Sequence, residues 1–483
     1  MATHRDVERG DKKGLEKLAE PFIDDSSKGV HRSKQTDQNA AGSIAMVLLS
    51  TAVAVCGSLE FGTCVGYTAP TQAALSIDLN LSVAQYALFG SIVTISAMIG
   101  AVTSGRIADT IGRKGAMALS SVFCVAGWLA IYFAMGAISL DTGRFFTGYG
   151  IGIFSYVVPI YIAEISPKEL RGGLTTINQL MIVTGSSISF LVGTVVTWRS
   201  LALIGIVPPV LLVIGLMFIP ESPRWLAKVG REVEFQSSLR QLRGAKANIS
   251  AEAEEIHETI INLQKLPQAG VLDLFDARYI KPVIIGVGLM VCQQWCGING
   301  IGFYASEIFK TAGFASGKSG TIAYALIQIP ITIVGMILLD ISGRRILLLV
   351  SSCGTCLGVF LTGTAFYFMG QAMFDGWAPL LAASGVLVFI ASFSIGMGAV
   401  PWLIMSEIFP LHIKGAAGSL VVLVNWLGAW VVSYSFNFLI NWSPEGTFWL
   451  FSGFGIITIV FVVKMVPETK GKSLEEIQAT INS

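Results

Sequence analysis

The sequence predicts an all-α membrane protein, with twelve transmembrane helices in two six-helix bundles and cytoplasmic helices between the halves. Three observations carry that prediction. The 483 residues are 53% hydrophobic and 13% charged, with a mean hydropathy of +0.68, whereas charged residues make up roughly 25% of an average soluble domain. Twelve apolar runs each approach the roughly 20 helical residues that cross a bilayer core. Three charged motifs of the first half also return in the second, in the same order. Asp109-Thr110-Ile111-Gly112-Arg113 recurs as Asp340-Ile341-Ser342-Gly343-Arg344, 231 residues later. Glu164, Pro167, Arg171 and Gly172 recur as Glu407, Pro410, Lys414 and Gly415, 243 residues later, and Pro220-Glu221-Ser222 as Pro467-Glu468-Thr469, 247 residues later. These offsets are too long for a solenoid repeat. They fit parallel halves of a secondary transporter, whose substrate sits between them near the membrane midplane.

Residues 1–42 are polar and lack the basic, apolar and cleavage-site succession of a secretory leader, so a disordered cytoplasmic tail is expected and the first span is the insertion signal. The N-terminal bundle, residues 43–220, has apolar runs near 44–71, 84–104, 115–137, 141–163, 173–197 and 201–219. Residues 221–280 form a charged cytoplasmic linker. Glu252, Glu254, Glu255 and Glu258 around Ile256 and Ile260 predict short amphipathic helices there. The C-terminal bundle, residues 281–466, has runs near 282–305, 320–339, 346–369, 379–405, 416–440 and 447–466, before a cytoplasmic tail at 467–483. Apolar residues run unbroken instead of alternating, so the spans are helices with all their backbone hydrogen bonds internal. Their many glycines would weaken a soluble helix but let membrane helices approach closely.

Lysine and arginine in short loops mark the cytoplasmic side. Eight of the 32 basic residues precede the first span, and Arg106, Arg113, Lys114, Lys168, Arg171, Arg224, Arg344, Arg345, Lys414, Lys470 and Lys472 share its side, against Arg199, Lys310 and Lys318 opposite. Both termini and the long linker are therefore expected in the cytoplasm. A net charge of +1 speaks against a nucleic-acid partner. The seven cysteines lie in apolar spans, which excludes a disulfide framework or a zinc cluster, and Cys353-Gly354-Thr355-Cys356 has redox spacing without a basic neighbour to activate it. Gly148, Gly150 and Gly152 resemble part of a dinucleotide fingerprint, but no strand precedes them, and close helix packing explains them. His4, His31, His257 and His412 fall outside the apolar interiors. No catalytic cluster, metal site or cofactor is expected, and the chain does not read as an enzyme.

The segment Gly105 to Lys114, Pro-Glu-Ser-Pro-Arg at 220–224, Gln-Gln-x-x-Gly-Ile-Asn at 293–299 and Pro-Glu-Thr-Lys-Gly at 467–471 together resemble the sugar porter family of the major facilitator superfamily, over about residues 44–476. Gly66-Tyr67-Thr68-Ala69-Pro70-Thr71-Gln72 and the short outer loops look like the plant early-responsive-to-dehydration-like monosaccharide transporters. The resemblance implies the major facilitator fold. It also implies a cytoplasmic latch of ion pairs between the halves, holding the outward-open state, made from Asp109, Arg113, Glu164, Arg171, Glu221 and Arg224 in one half and Asp340, Arg344, Glu407 and Lys414 in the other.

A sugar presents many hydroxyls over apolar ring faces, so its site needs amides and an aromatic platform. Gln293, Gln294 and Asn299 would splay on an ideal helix, but glycines at 297, 300 and 302 predict a break that lets them converge. Gln179, Trp402 and Asn425 with Trp426 match the family's sugar-contacting positions, and Gln328 falls where related porters often carry asparagine. Proton-coupled sugar porters commonly carry an aspartate in the first span facing an arginine in the fourth. Here the aspartate position falls on Cys64, while the arginine remains as Arg144. An unpaired arginine at the bilayer centre costs ~2.5 to 3.5 kcal/mol on insertion scales. Glu60, four residues before Cys64 on nearly the same face, is the expected partner. It either takes over the protonation role or forms a permanent pair in a facilitator.

The resulting expectation is a transporter of monosaccharides, glucose or related hexoses, by alternating access, with proton coupling through Glu60 and Arg144 left open. Uncoupled facilitation, transport of other polyols or organic solutes, and a transport-dead sugar sensor are the alternatives. The expected partners are a monosaccharide, protons if coupled, and the lipid bilayer; a monomer suffices, with the oligomeric state open. Plant relatives imply the vacuolar membrane, with the plasma membrane as the alternative.

Overall fold

The computed structural model describes residues 26–167, 170–244, 247–265, 271–276, 279–313, 317–371, 376–410, 413–472, 476–477 and 481, with side chains from residue 44. The polar tail before residue 26 and the Asp340 side chain lie outside the described residues. The described elements are helices, with no strand among them. The first half comprises α1 (Ser26–Gly66), α2 (Thr68–Asp78), α3 (Val83–Tyr132), α4 (Ala137–Ile165), α5 (Arg171–Gly193), α6 (Trp198–Gly205) and α7 (Val207–Leu216). Then come the linker helices α8 (Pro223–Lys228), α9 (Glu232–Arg243) and α10 (Ser250–Lys265). The second half holds α11 (Ile280–Trp295), α12 (Ile298–Phe303), α13 (Ala305–Thr311), α14 (Lys318–Ser342), α15 (Arg344–Gly370), α16 (Ala378–Ser392), α17 (Val400–Ile408), α18 (Lys414–Trp442) and α19 (Pro444–Met465).

Eleven helical stretches are long and apolar enough to cross a membrane, and α3, at 50 residues, is one of them. At about 1.5 Å per residue it would run roughly 75 Å, more than twice the hydrocarbon thickness. Gly112, at φ 83° and ψ 173°, breaks it into two spans, giving twelve crossings. The same device joins α14 to α15 at Gly343, φ 87° and ψ 165°. The duplicated acid-x-x-glycine-arginine motif is therefore one turn built twice, in a backbone region open essentially to glycine alone.

The third duplicated motif completes each turn. Glu221 accepts hydrogen bonds from the backbone N–H groups of Arg113 (3.2 Å) and Lys114 (3.0 Å), and Glu468 from those of Arg344 and Arg345 (both 3.0 Å). Each carboxylate caps the start of a span, where free N–H groups and the helix dipole favour negative charge. A Cβ at Gly112 would lie 2.5 Å from Glu221 Oε2, and one at Gly343 2.8 Å from Glu468 Oε2. Gly112→Val and Gly343→Val are each expected to destabilise the protein by about 2 to 3 kcal/mol, from backbone strain plus a displaced cap. Thermal unfolding of the purified protein measures this, and an unchanged midpoint would contradict it.

Glycine also sets helix contacts. A side chain at Gly62 or Gly66 on α1 would strike the backbone of α5, and one at Gly185 the backbone of α1. Gly148 and Gly152 on α4 abut Val93 and Ala97 in the first part of α3, and Gly150 abuts Ser120 and Cys124 in the second. Packing is thus the role of the Gly148, Gly150 and Gly152 series. The linker helices pack on one another around Trp225, Leu226, Phe235, Leu239, Ile249 and Ile256 and are hydrogen-bonded to the first half. Trp225 Nε1 donates to the Asp109 carbonyl at 2.9 Å, and Arg243 Nη1 to the Ile165 carbonyl at 2.9 Å.

On the side away from the linker helices, the outer side, the halves meet in one aromatic core. Tyr304, after α12, packs edge-on to Tyr86 of α3 (centroids 6.2 Å apart) and stacks on Phe436 of α18 (5.3 Å). Phe190 of α5 meets Tyr324 of α14 edge-on at 5.2 Å.

Candidate functional site

Helical continuity is lost at three places that bear on the site. α1 ends at Gly66 before α2, Gly297 adopts φ 94° between α11 and α12, and a π-helical turn, Phe393–Met397, precedes α17. Irregular backbone at membrane depth occurs where it is buried in protein or lines a cavity. The break at Gly297 turns Asn299 back toward α11. Asn299 Nδ2 donates to Gln294 Oε1 at 2.5 Å, and Gln294 Nε2 donates to Asn425 Oδ1 at 2.7 Å. Gln293 Nε2 reaches the Met397 carbonyl at 2.6 Å; the residue four positions on is Pro401, which has no N–H to offer that carbonyl. Four of the expected amides, Gln293, Gln294, Asn299 and Asn425, thus form one connected group across α11, α12, α18 and the turn before α17.

Trp426, beside Asn425, is 8% exposed, and its Nε1 donor has no partner among the described residues. Its ring lies 5.8 Å from Phe61 of α1, so an aromatic wall from each half flanks the amides. A buried donor left unpaired costs free energy unless something accepts from it. Gln328 of α14 accepts long hydrogen bonds from Ser186 and Ser187 of α5, both 3.4 Å, tying the two halves at this level. Gln179 is half-buried on α5 and makes no hydrogen bond to a described residue; Trp402 is half-buried on α17, packed on the core of the second half. Neither joins the amide group.

The expected ion pair of Glu60 with Arg144 does not form. Glu60 Oε1 accepts from Trp128 Nε1 at 2.6 Å and from Cys64 Sγ at 3.2 Å, and both acid and arginine are fully buried. Arg144 reaches one turn further along α1. Its Nη1 donates to the Cys64 carbonyl at 2.8 Å and its Nη2 to Thr68 Oγ1 at 2.5 Å. The guanidinium lies over the rings of Phe89 (5.0 Å) and Tyr67 (5.7 Å). A cation at the carbonyl end of α1 gains up to about 2 kcal/mol from the helix dipole, and each desolvated aromatic face adds about as much. Together these offset an insertion cost of ~2.5 to 3.5 kcal/mol. No carboxylate bonds the arginine, and its Nε, like Glu60 Oε2, is buried without a partner among the described residues.

In this outer-closed arrangement the charges of the expected latch pair inside their own halves. Arg113 grips Glu164 through two hydrogen bonds, Nε to Oε2 at 2.8 Å and Nη2 to Oε1 at 2.9 Å, and its Nη1 meets Asp109 at 3.3 Å. Asp109 also pairs with Lys228 at 2.9 Å, and Ser222 Oγ donates to Glu164 at 2.5 Å. In the second half Arg344 Nη2 meets Glu407 Oε1 at 3.1 Å, and Lys414 Nζ donates to the Ser406 carbonyl at 2.8 Å. Arg171 and Arg224 are half-buried at the first turns of α5 and α8. These ion pairs each stay within one half or the linker beside it, so in this arrangement they brace each bundle.

The twin caps sit in different surroundings. Burial pushes the Glu221 carboxyl up from its ordinary value, against the N–H groups of Ser222, Lys114 and Arg113. For Glu468 burial also raises the value, but N–H groups of Lys470, Arg344, Arg345 and Thr469 outweigh it and hold the carboxyl below 4.5. A lowered carboxyl stabilises the fold above its unfolded value and loses that contribution as pH falls through the folded one. Glu468→Gln is therefore expected to lower the melting temperature more near neutral pH than Glu221→Gln, with the gap closing in acid. A pH series of melting curves checks the order.

Sequence reasoning missed Trp128 as the partner of Glu60 and the outer closure by Tyr86, Tyr304, Phe190 and Tyr324. Linear spacing carries no signal for either, because each contact joins residues far apart in the chain.

Three comparisons bear on this arrangement. Residues 26–480 match the family described as "Sugar (and other) transporter". The chain is 60% identical over 478 residues to the Arabidopsis thaliana protein "Sugar transporter ERD6-like 16", covering 99% of this chain and 98% of that one. It is 57% identical to "Sugar transporter ERD6-like 7" of the same plant, with 93% and 98% covered. Among solved structures it resembles the proton:xylose symporter XylE bound to 6-bromo-6-deoxy-D-glucose, at 26% identity and TM-score 0.76, over 91% of this chain and 99% of that one. The inward open conformation of XylE from E. coli matches at TM-score 0.75 and 26% identity, over 90% and 99%.

Proposed function

The chain belongs to the sugar (and other) transporter family, and from that premise we propose that it carries a monosaccharide, glucose or a related hexose, across its membrane by alternating access, as a facilitator. The observation that carries the proposal is the connected amide group of Gln293, Gln294, Asn299 and Asn425 beside the unpartnered Trp426 donor. Amides offer a donor and an acceptor each, which suits ring hydroxyls, and the indole faces of such sites suit the apolar ring. The helix breaks that expose these groups are the places where a bundle can flex, and the aromatic closure on one side fits a site opened to one side at a time. Facilitation is favoured because Arg144 rests on uncharged acceptors and on aromatic rings.

Purified protein in liposomes is expected to exchange labelled glucose saturably, with unlabelled hexose competing and with no accumulation under an imposed pH gradient. Competition by polyols in preference to hexoses would overturn the substrate, and sugar binding without flux would make the protein a sensor. A second reading rests on one contact: Cys64 bonds Glu60 through its thiol and Arg144 through its carbonyl, so movement of the arginine can reach the acid. Accumulation driven by the gradient and lost in Glu60→Gln would establish that reading. Vacuolar residence, suggested by the plant relatives, is tested by a fluorescent fusion, with the plasma membrane as the other outcome.

A further inference from the structure

The two copies of the cytoplasmic charge cluster differ in three atoms. In the first half Arg113 Nε and Ser222 Oγ both bond Glu164 Oε2, at 2.8 and 2.5 Å. The matching atoms of the second half are Arg344 Nε, Thr469 Oγ1 and Glu407 Oε2, and all three are buried without a partner among the described residues. Thr469 is 3% exposed. Between these groups opens a cytoplasmic cleft of about 310 Å³, lined by Arg344, Glu407, Phe409, Lys414, Thr469 and Lys472. The first-half copy is closed on itself and braced by the linker helices. Its twin is spread apart around an open space.

We propose that this cleft binds a phosphate monoester carried on a hydroxylated ring. Among the described lining residues three cationic side chains, Arg344, Lys414 and Lys472, face the carboxylate of Glu407, while the neighbouring Glu468 is engaged by backbone N–H groups, which gives the cleft the sign for a phosphate, and the guanidinium suits phosphate geometry. Phosphate alone does not satisfy the group, because Glu407 Oε2 accepts only and would repel it. A ring hydroxyl supplies the missing proton donor to Glu407, and a second hydroxyl can bond Thr469. The volume exceeds what an isolated phosphate fills and leaves the ring against Phe409. A soluble hexose phosphate and the headgroup of a phosphorylated inositol lipid share this chemistry. The site lies on the cytoplasmic face of the second half, apart from the amide group, so its occupancy does not depend on which solute the protein transports.

The test uses full-length protein in detergent, titrated calorimetrically with glucose 6-phosphate, and the same protein mixed with vesicles containing phosphatidylinositol 4-phosphate. Saturable binding of either probe is expected, about tenfold weaker in Lys472→Glu and about threefold weaker in Thr469→Val. Binding of the soluble ester assigns the site to a free metabolite; binding to the vesicles alone assigns it to a lipid headgroup. The proposal is overturned if neither probe binds saturably, or if Lys472→Glu binds as the unaltered protein does while melting at the same temperature. Should Lys472→Glu melt lower, Lys472→Gln replaces it under the same criterion.

Discussion

Gln294→Ala is expected to weaken sugar binding about a hundredfold while the protein still inserts and unfolds cooperatively. Gln294 is the hub of the amide group, accepting from Asn299 at 2.5 Å and donating to Asn425 at 2.7 Å and, at 3.5 Å, to Gln293. Removing it strands both, each at about 1 to 3 kcal/mol if buried unpaired, and about 2.7 kcal/mol corresponds to a hundredfold change in affinity. Water admitted by the shorter side chain restores some of the hydrogen bonding in the empty site but not the positions a sugar requires. Gln328→Ala provides the contrast: its bonds to Ser186 and Ser187 are both 3.4 Å, and about threefold is expected. Equilibrium binding of labelled glucose measures both. Wild-type affinity in Gln294→Ala would remove the amide group from the sugar site.

Arg144→Leu is expected to reduce flux to roughly a few per cent and to lower the melting temperature. The arginine serves two acceptors, the Cys64 carbonyl and Thr68 Oγ1, at the break between α1 and α2, and it fills the space between Phe89 and Tyr67. Tyr86, in the same aromatic group, also holds the break, donating to the Thr68 carbonyl at 2.8 Å while touching Tyr304 across the halves. Leucine would leave the carbonyl and hydroxyl unpaired, about 1 to 3 kcal/mol each, next to the outer closure. Arg144→Lys keeps the charge but not the planar fork, so partial rescue is expected. Glu60→Gln should change flux little in a facilitator, because an amide oxygen still accepts from Trp128. Full flux in Arg144→Leu would show that the arginine has no part in the cycle.

The twelve spans and the duplication were legible because bilayer burial demands long apolar runs and because a tight charged turn needs the same residues each time it is built. The break at Gly297 was legible for a similar reason, since glycines at 297, 300 and 302 inside an apolar run argue against a continuous helix. The partners of Glu60 and Arg144 were not. Helix periodicity put Glu60 on the face of Cys64 and the family resemblance set Arg144 opposite, but the choice between Arg144 and Trp128 was decided by how α3 and α4 pack on α1, which depends on glycine contacts such as Gly143 against Ile131. The latch across the halves is expected of the outward-open state, and the outer-closed arrangement shows the same charges paired inside each bundle. Sequence identifies charges at helix ends, while a half-turn of Gly112 or Gly343 decides that Arg113 and Arg344 point into their own bundles.

The outer closure has a thermal consequence. Tyr86, Tyr304, Phe190 and Tyr324 hold it by apolar and aromatic contact, with no ion pair there among the described residues. Opening it wets apolar surface and so raises the heat capacity of the outward-open form. The balance between the two forms should then bend with temperature, with a van't Hoff plot of outward-site occupancy that curves, while added salt leaves it nearly still.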